Sequence, residues 1–199
     1  TRGVDVVGGD FWQNSGPTVI VECTPLPLKA RAPLYRDGIE VAFPSVQRIP
    51  PECLSPNVKS HNYLNMIVAD QEVRSFNPKA WAVLLDTRGF LSEGQGSNVF
   101  LVKDGVLYTP KEQYVLAGVS RQTVIELAEQ LKLKLVEDDL TPYNAFTADE
   151  AFITSTSFCI CPVRSFNNKI VGDGRVPGPV TKKLTDAYVD LVDCDFVEQ

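Results

Sequence analysis

The chain has 199 residues, 44% of them hydrophobic and 22% charged, which is the size and apolar content of a globular domain able to bury one substantial core. Its net charge of −6 argues against electrostatic capture of nucleic acid or of an anionic membrane. No apolar run approaches the roughly 20 residues of a membrane-spanning helix, and Thr1-Arg2-Gly3 lacks the charged and apolar regions of a secretion signal, so a cytoplasmic address without a membrane partner is expected.

In chain order, residues 1–16 are Gly-rich and polar and read as a connector. Residues 18–23 are β-branched and predict a short buried strand, after which Pro25, Pro27 and Pro33 predict an extended loop. Residues 39–43 alternate apolar and polar and predict a half-buried strand, and Pro44, Pro50, Pro51 and Pro56 predict an extended approach to Lys59. From 60 to about 74, Leu64, Ile67 and Val68 recur at helical spacing. Residues 80–85 and 98–102 predict strands, and a turn at Asp104-Gly105 leads the second into a hairpin through Val106-Leu107-Tyr108. Residues 119–131 predict the clearest helix, with Val124, Leu127, Ala128 and Leu131 on one stripe.

Further strands are predicted at 133–137, 151–154 and 159–163, with a hairpin at Asn167-Asn168 and a last helix starting near Pro179. Gly172-Asp173-Gly174 and Pro177-Gly178-Pro179 read as turns needing positive φ and a helix start. The five cysteines are odd in number and show no C-x-x-C spacing, which predicts thiols rather than a zinc site or a disulfide framework. Cys159 and Cys161 fall on one face of a strand, where simple burial is expected. His61 is the only histidine, so a metal cluster of histidines is excluded and no metal site is expected. No repeat with a period of 20–50 residues is visible. The pattern is α+β, with mixed or antiparallel strands that curl and helices packed outside.

The chemistry concentrates between Glu93 and Arg121. Glu93-Gly94-Gln95-Gly96-Ser97-Asn98-Val99-Phe100 is followed by Leu107-Tyr108-Thr109-Pro110 and then Leu116-Ala117-Gly118-Val119-Ser120-Arg121. Upstream stands Lys59 in Pro56-Asn57-Val58-Lys59-Ser60-His61-Asn62-Tyr63, and downstream stand Asp149-Glu150-Ala151-Phe152-Ile153-Thr154 and Pro162-Val163. This order resembles the class IV aminotransferases, the fold-type-IV family that includes branched-chain aminotransferases, D-amino-acid aminotransferases and aminodeoxychorismate lyases. The resemblance implies a curled mixed sheet forming a pseudo-barrel with peripheral helices, the family's larger C-terminal domain, here over 17–199. Residues 1–16 would then be a connector or a remnant of the smaller domain, and the chain a piece of a longer protein.

It also implies pyridoxal 5'-phosphate as cofactor, an amino acid and a 2-oxo acid as small-molecule partners, and a homodimer. Aminotransfer is the implied reaction. An aminodeoxychorismate-lyase-type elimination, or a truncated and catalytically silent relative, are the alternatives.

Taken alone, Lys59 reads as a solvated surface lysine; through the resemblance it becomes the Schiff-base lysine, a role that asks for a rigid position and an amine freed of its proton by desolvation or nearby positive charge. Glu93 reads alone as a carboxylate leaving a tight, exposed turn, and by resemblance as the acid beside the pyridine nitrogen, keeping the ring protonated. Gly118-Val119-Ser120 enters the best helix, so the amides of Val119 and Ser120 and the Ser120 hydroxyl can cradle a phosphate, or Ser120 can simply serve the helix start. The resemblance assigns Leu116 to one face of the ring and Thr156, beside Ser155, to the phosphate. Tyr63 either reaches the cofactor's phenolic oxygen, as a tyrosine does in branched-chain enzymes, or packs in the core, its spacing from the lysine differing by one residue from theirs.

Overall fold

A computed structural model describes residues 16–197; the predicted connector up to residue 15, with Thr1-Arg2-Gly3, lies outside the described residues. The strands are β1 (Ile39–Ala42), β2 (Trp81–Leu85), β3 (Leu91–Gly94), β4 (Ser97–Lys103), β5 (Val106–Pro110), β6 (Leu135–Asp138), β7 (Glu150–Ser155), β8 (Cys159–Phe166) and β9 (Lys169–Ile170). The helices are α1 (Leu28–Asp37), α2 (Leu64–Phe76), α3 (Val119–Gln130), α4 (Pro142–Thr147) and α5 (Pro179–Val192).

The sheet runs β3-β2-β1-β8-β7-β4, and β3 also pairs with β4, so six strands close into a ring. Strand β1 is parallel to β2 and to β8, while the β2–β3, β3–β4, β4–β7 and β7–β8 pairs are antiparallel. Strands β5 and β6 extend from β4, and β9 from β8. The expected curled mixed sheet is therefore a closed barrel with side strands.

Closure accounts for the unbroken apolar run Val99-Phe100-Leu101-Val102 in β4, a strand in which six of seven residues are buried. One face looks into the barrel and the other is covered, a pattern that leaves no solvent side for polar residues. Inside, Phe100 of β4 and Phe152 of β7 stand opposite in register and stack with centroids 4.9 Å apart, both fully buried. Outside, α3 and α5 pack on each other, α3 and α5 cover β7, and α5 also covers β8. The buried Val124, Leu127 and Ala128 of α3 are the stripe read from the sequence.

Glu150 at the start of β7 stitches this layer together. Its carboxylate accepts from the amides of Val180 at 2.9 Å and Thr181 at 2.7 Å and from the Thr181 hydroxyl at 2.7 Å, serving the first turn of α5 from another element.

Both predicted hairpins form. Asp104 and Gly105 have φ of 50° and 74°, and Asn167 and Asn168 have 47° and 64°, the positive pair that a two-residue hairpin turn demands.

Four expectations are corrected. Residues 18–23 form no strand and are exposed, Val21 at 91%. The proline-rich stretch after them folds into α1 despite Pro33, because Tyr35 is buried against Phe196, its hydroxyl donates to the Phe158 carbonyl at 3.1 Å, and Arg31 lies over the Phe158 ring. The approach to Lys59 is not extended throughout, since the amides of Cys53 and Leu54 turn back to the Pro50 carbonyl. Helix α2 starts at Leu64 rather than 60, and it buries Met66, Ala69 and Val73 instead of Leu64, Ile67 and Val68. Small side chains decide that choice, because Ala69 and Val73 pack onto Ala42, Ala82 and Leu84 of the adjoining strands and onto Ala80 just before β2.

Candidate active site

Three strands lay a polar floor across one end of the barrel. Glu93 of β3 stands opposite Asn98 of β4, and Asn98 opposite Thr154 of β7. Residues paired in register point to the same face, so these three side chains form one row, directly above the stacked Phe100 and Phe152. All three are buried, Glu93 at 3%, Asn98 at 5% and Thr154 at 1% exposure.

The row follows from a two-residue turn. Gln95-Gly96, with Gly96 at φ 72°, sets Gly94 against Ser97 and so Glu93 against Asn98. Glu93 thus lies on a buried strand, two residues before the tight turn, and not on an exposed turn as expected from the sequence.

Both Glu93 oxygens are held. Oε1 accepts from Arg48 Nε at 3.0 Å and Oε2 from the Leu116 amide at 2.9 Å. Burial pushes the Glu93 carboxyl above its ordinary range, while the Leu116 amide, the Arg48 guanidinium and the Lys59 ammonium draw it part of the way back. Arg48 is itself fixed. Its amide donates to the Leu85 carbonyl at 2.8 Å, and Asn65 of α2 clamps the flanking Gln47 carbonyl and Ile49 amide at 2.9 and 3.4 Å.

Against Asn98, in the middle of the floor, sits the start of α3. Asn98 Nδ2 donates to the Leu116 carbonyl at 2.9 Å, and its Oδ1 lies 2.3 Å from where a Cβ on Gly118 would stand, a contact only glycine permits. Gly118 is the N-cap and offers no side chain, so the first-turn amides of α3 have no side-chain acceptor. Ser120 is buried, and its Oγ accepts from the Tyr188 hydroxyl at 3.3 Å, leaving its own proton to donate elsewhere. The Thr154 hydroxyl is buried without a hydrogen-bond partner.

Lys59 lies on the cavity wall, in a loop five residues before α2, and it is exposed, so desolvation, one of the two means expected of freeing its amine, is not met. The loop is nonetheless anchored. Asn57 Oδ1 accepts from the Ala117 amide at 3.1 Å, tying the lysine segment to the entry of α3, and Ser60 N donates to the Val58 carbonyl at 2.8 Å. Tyr63 stacks on His61 with centroids 5.6 Å apart.

All eight residues expected to form the site, from Lys59 to Thr156, border one cavity of about 180 Å3. Leu116 and Tyr63 are half-buried on its walls, Val119 contributes backbone while its side chain points to solvent, and Thr156 is exposed at the rim. The Ser155 hydroxyl is engaged locally, accepting from the Phe158 amide at 3.2 Å and meeting Ser157 Oγ at 3.4 Å, so it braces the turn after β7.

Residues 4–166 match the family model described as amino-transferase class IV. The chain is 40% identical over 193 residues to a putative branched-chain-amino-acid aminotransferase of Methanocaldococcus jannaschii, covering 96% of this chain and 65% of that protein. The crystal structure of the Escherichia coli branched-chain amino acid aminotransferase superposes with a TM-score of 0.77 at 35% identity, over 82% of this chain and 55% of that one. The chain belongs to the class IV aminotransferases. A further member, the T.th. branched-chain amino acid aminotransferase with pyridoxamine 5'-phosphate, gives a TM-score of 0.74 at 31% identity, over 79% and 52% of the two chains. The chain spans roughly half to two thirds of the length of these class IV relatives.

The residues present suit a class IV cofactor. A planar ring with an anionic tail needs an acid at one end, a donor-rich cradle at the other, and an apolar side between; Glu93, the α3 entry and Leu116 supply these in one cavity. The orphaned Thr154 hydroxyl, beneath the cradle, is a donor awaiting an acceptor. The sequence reading missed Arg48, Asn57, Asn98 and Thr154. Taking Gln95-Gly96 as the hairpin turn would have found Asn98 opposite Glu93, whereas Arg48 lies in a loop and gives no local signal.

Proposed function

We propose that this chain is the cofactor-binding large domain, from residue 17 onward, of a pyridoxal-phosphate-dependent aminotransferase that exchanges an amino group between a branched-chain amino acid and a 2-oxo acid. One observation carries the reading: a buried acid and an uncapped helix start border one cavity, with Lys59 on its wall. When bound, pyridoxal phosphate supplies an aldehyde for amine exchange and a protonated ring that accepts the electron pair left on the substrate's α-carbon.

The chain's own residues do the rest. Glu93, its two oxygens fixed by Arg48 and Leu116, shares a proton with the ring nitrogen, and a carboxyl whose proton affinity burial has raised suits that task. The amides of Val119 and Ser120, the Ser120 hydroxyl and Thr156 bind the phosphate, and Ser155 holds the turn that carries Thr156. Leu116 packs on the ring, and Tyr63, on the same cavity wall, would serve its phenolic oxygen. Lys59 Nζ would hold the aldehyde, and as a free amine it would be the base that moves the proton at the substrate's α-carbon.

The exposed free thiols Cys23 and Cys53 fit a reducing, cytoplasmic compartment. No helix among the described residues is long and apolar enough to cross a membrane. Exposed Val119 at the cavity and exposed Leu64, Ile67 and Val68 on α2 favour a second copy covering these side chains, which sedimentation would detect.

Borohydride reduction of the full chain mixed with pyridoxal phosphate should fix one adduct, and peptide mapping should place it on Lys59. Lys59→Ala should lose it while keeping its circular dichroism. A specific adduct on any other lysine, or none, refutes the assignment.

A further inference from the structure

We propose that Thr154 is a further ligand for the anionic end of the cofactor, its hydroxyl donating to the same phosphate that the first turn of α3 receives. This inference rests on the functional reading above and adds a residue to it.

The argument starts from an unmet hydrogen bond. Thr154 is 1% exposed, its Oγ1 has no partner, and it borders the cavity together with Gly118, Val119 and Ser120. A buried hydroxyl left unpaired is costly, and native structures keep few of them. Leaving one here is explicable if a ligand completes it.

Position selects which end of the ligand that is. Thr154 and Glu93 flank Asn98 in the row across β3, β4 and β7, so two strand spacings of about 4.8 Å each separate them. A group held by Glu93 therefore reaches Thr154 only with its far end. That far end lies by the α3 entry, because α3 packs against β7, the strand that carries Thr154, and Thr154 borders the same cavity as Gly118, Val119 and Ser120. The helix start and the hydroxyl thus converge on one place from two elements, α3 from above and β7 from below. Donors converging so, in a place shielded from water by the Phe100–Phe152 layer, suit an anion with several acceptor oxygens. A phosphate has them; the uncharged end of pyridoxal does not.

Thr154→Val removes the hydroxyl and keeps the branched shape. Binding of inorganic phosphate, of pyridoxal phosphate and of pyridoxal is measured by calorimetry on the full chain, with Thr154→Ser as the variant that restores the hydroxyl. Expected are a loss of about ten-fold or more for the two phosphate-bearing probes, as for a bond to a charged group, unchanged pyridoxal binding, recovery in Thr154→Ser, and a melting temperature of the cofactor-free Val variant equal to or above wild type.

Equal phosphate affinity in wild type and Thr154→Val overturns the proposal, as does a Val variant that melts lower and loses pyridoxal equally, which marks the hydroxyl as structural. If wild type still forms its Lys59 adduct in either case, only the role of Thr154 falls. If wild type binds neither phosphate nor pyridoxal phosphate, the functional reading fails and takes this inference with it.

Discussion

Replacing Arg48 by Met tests the electrostatics on which the floor of the cavity depends. The Arg48 and Glu93 side chains are 12% and 4% exposed and meet at 3.0 Å. Methionine keeps the apolar stem and removes the guanidinium, leaving Glu93 with the Leu116 amide as its remaining hydrogen-bond donor. Breaking a buried ion pair from one side costs about 3–5 kcal/mol while the orphaned carboxylate stays ionised.

Glu93 has an escape, because burial has already raised its proton affinity and loss of Arg48 raises it further. Protonating the folded state costs about 1.4 kcal/mol for each pH unit above the folded pKa. A raised folded pKa means stability fully present below the unfolded value and lost as pH climbs through the folded one. The variant's deficit should therefore grow between the wild-type and variant pKa values and level off above the latter. Urea denaturation followed by far-ultraviolet circular dichroism should show a loss of about 3 kcal/mol or more near pH 8 and a clearly smaller one near pH 5. Adding Glu93→Gln should recover much of the loss at the higher pH. A deficit identical at both pH values, or a double variant no better than Arg48→Met, would refute the reasoning.

Three other outcomes follow from the geometry. Gly118→Ala places a Cβ 2.3 Å from Asn98 Oδ1 at a backbone conformation alanine accepts, φ −68° and ψ 139°, so its effect isolates the close contact. Thermal denaturation should register about 2 kcal/mol of lost stability, and pyridoxal phosphate should bind more weakly. Glu150→Ala strips the first turn of α5 of three bonds and should cost about 2 kcal/mol, with faster amide exchange at Val180 and Thr181 as the local signature. Burial pushes the Cys159 thiol up to about 11 and Cys161 up to about 12, so near-neutral alkylation read by mass spectrometry should modify exposed Cys23 and Cys53 first and Cys161 last. Early labelling of Cys161 would contradict its packing.

Strong local signals survive into the structure. The stripe of α3, the positive-φ hairpin turns and the order of site motifs are legible because each is set by neighbours in sequence. What fails depends on partners elsewhere. Val19, Ile20 and Val21 have the composition of a buried strand yet no strand of the barrel pairs with them, while Pro33 sits inside a helix that Tyr35 and Arg31 anchor to the turn after β7. In α2, burial of Ala69 and Val73 in place of Leu64 and Ile67 reflects how near β2 approaches, which spacing alone cannot report. Glu93 is identified by its motif, but its burial and its pairing with Arg48, 45 positions away in sequence, arise only when the ring closes.

That closure dictates an order of events at the ribosome. Strand β1 finds its neighbours only in β2 and β8, and Ile39 must wait for Val163 to be synthesised before the seam between them can zip. Until then the β3–β4 hairpin, with Glu93 and Asn98 already opposite each other, can exist as a local piece, but the wall bearing Thr154 has not arrived. Nascent chains stalled short of β8 should expose greasy, unpaired edges and call on chaperones, and refolding from denaturant should be limited by this long-range seam rather than by any helix.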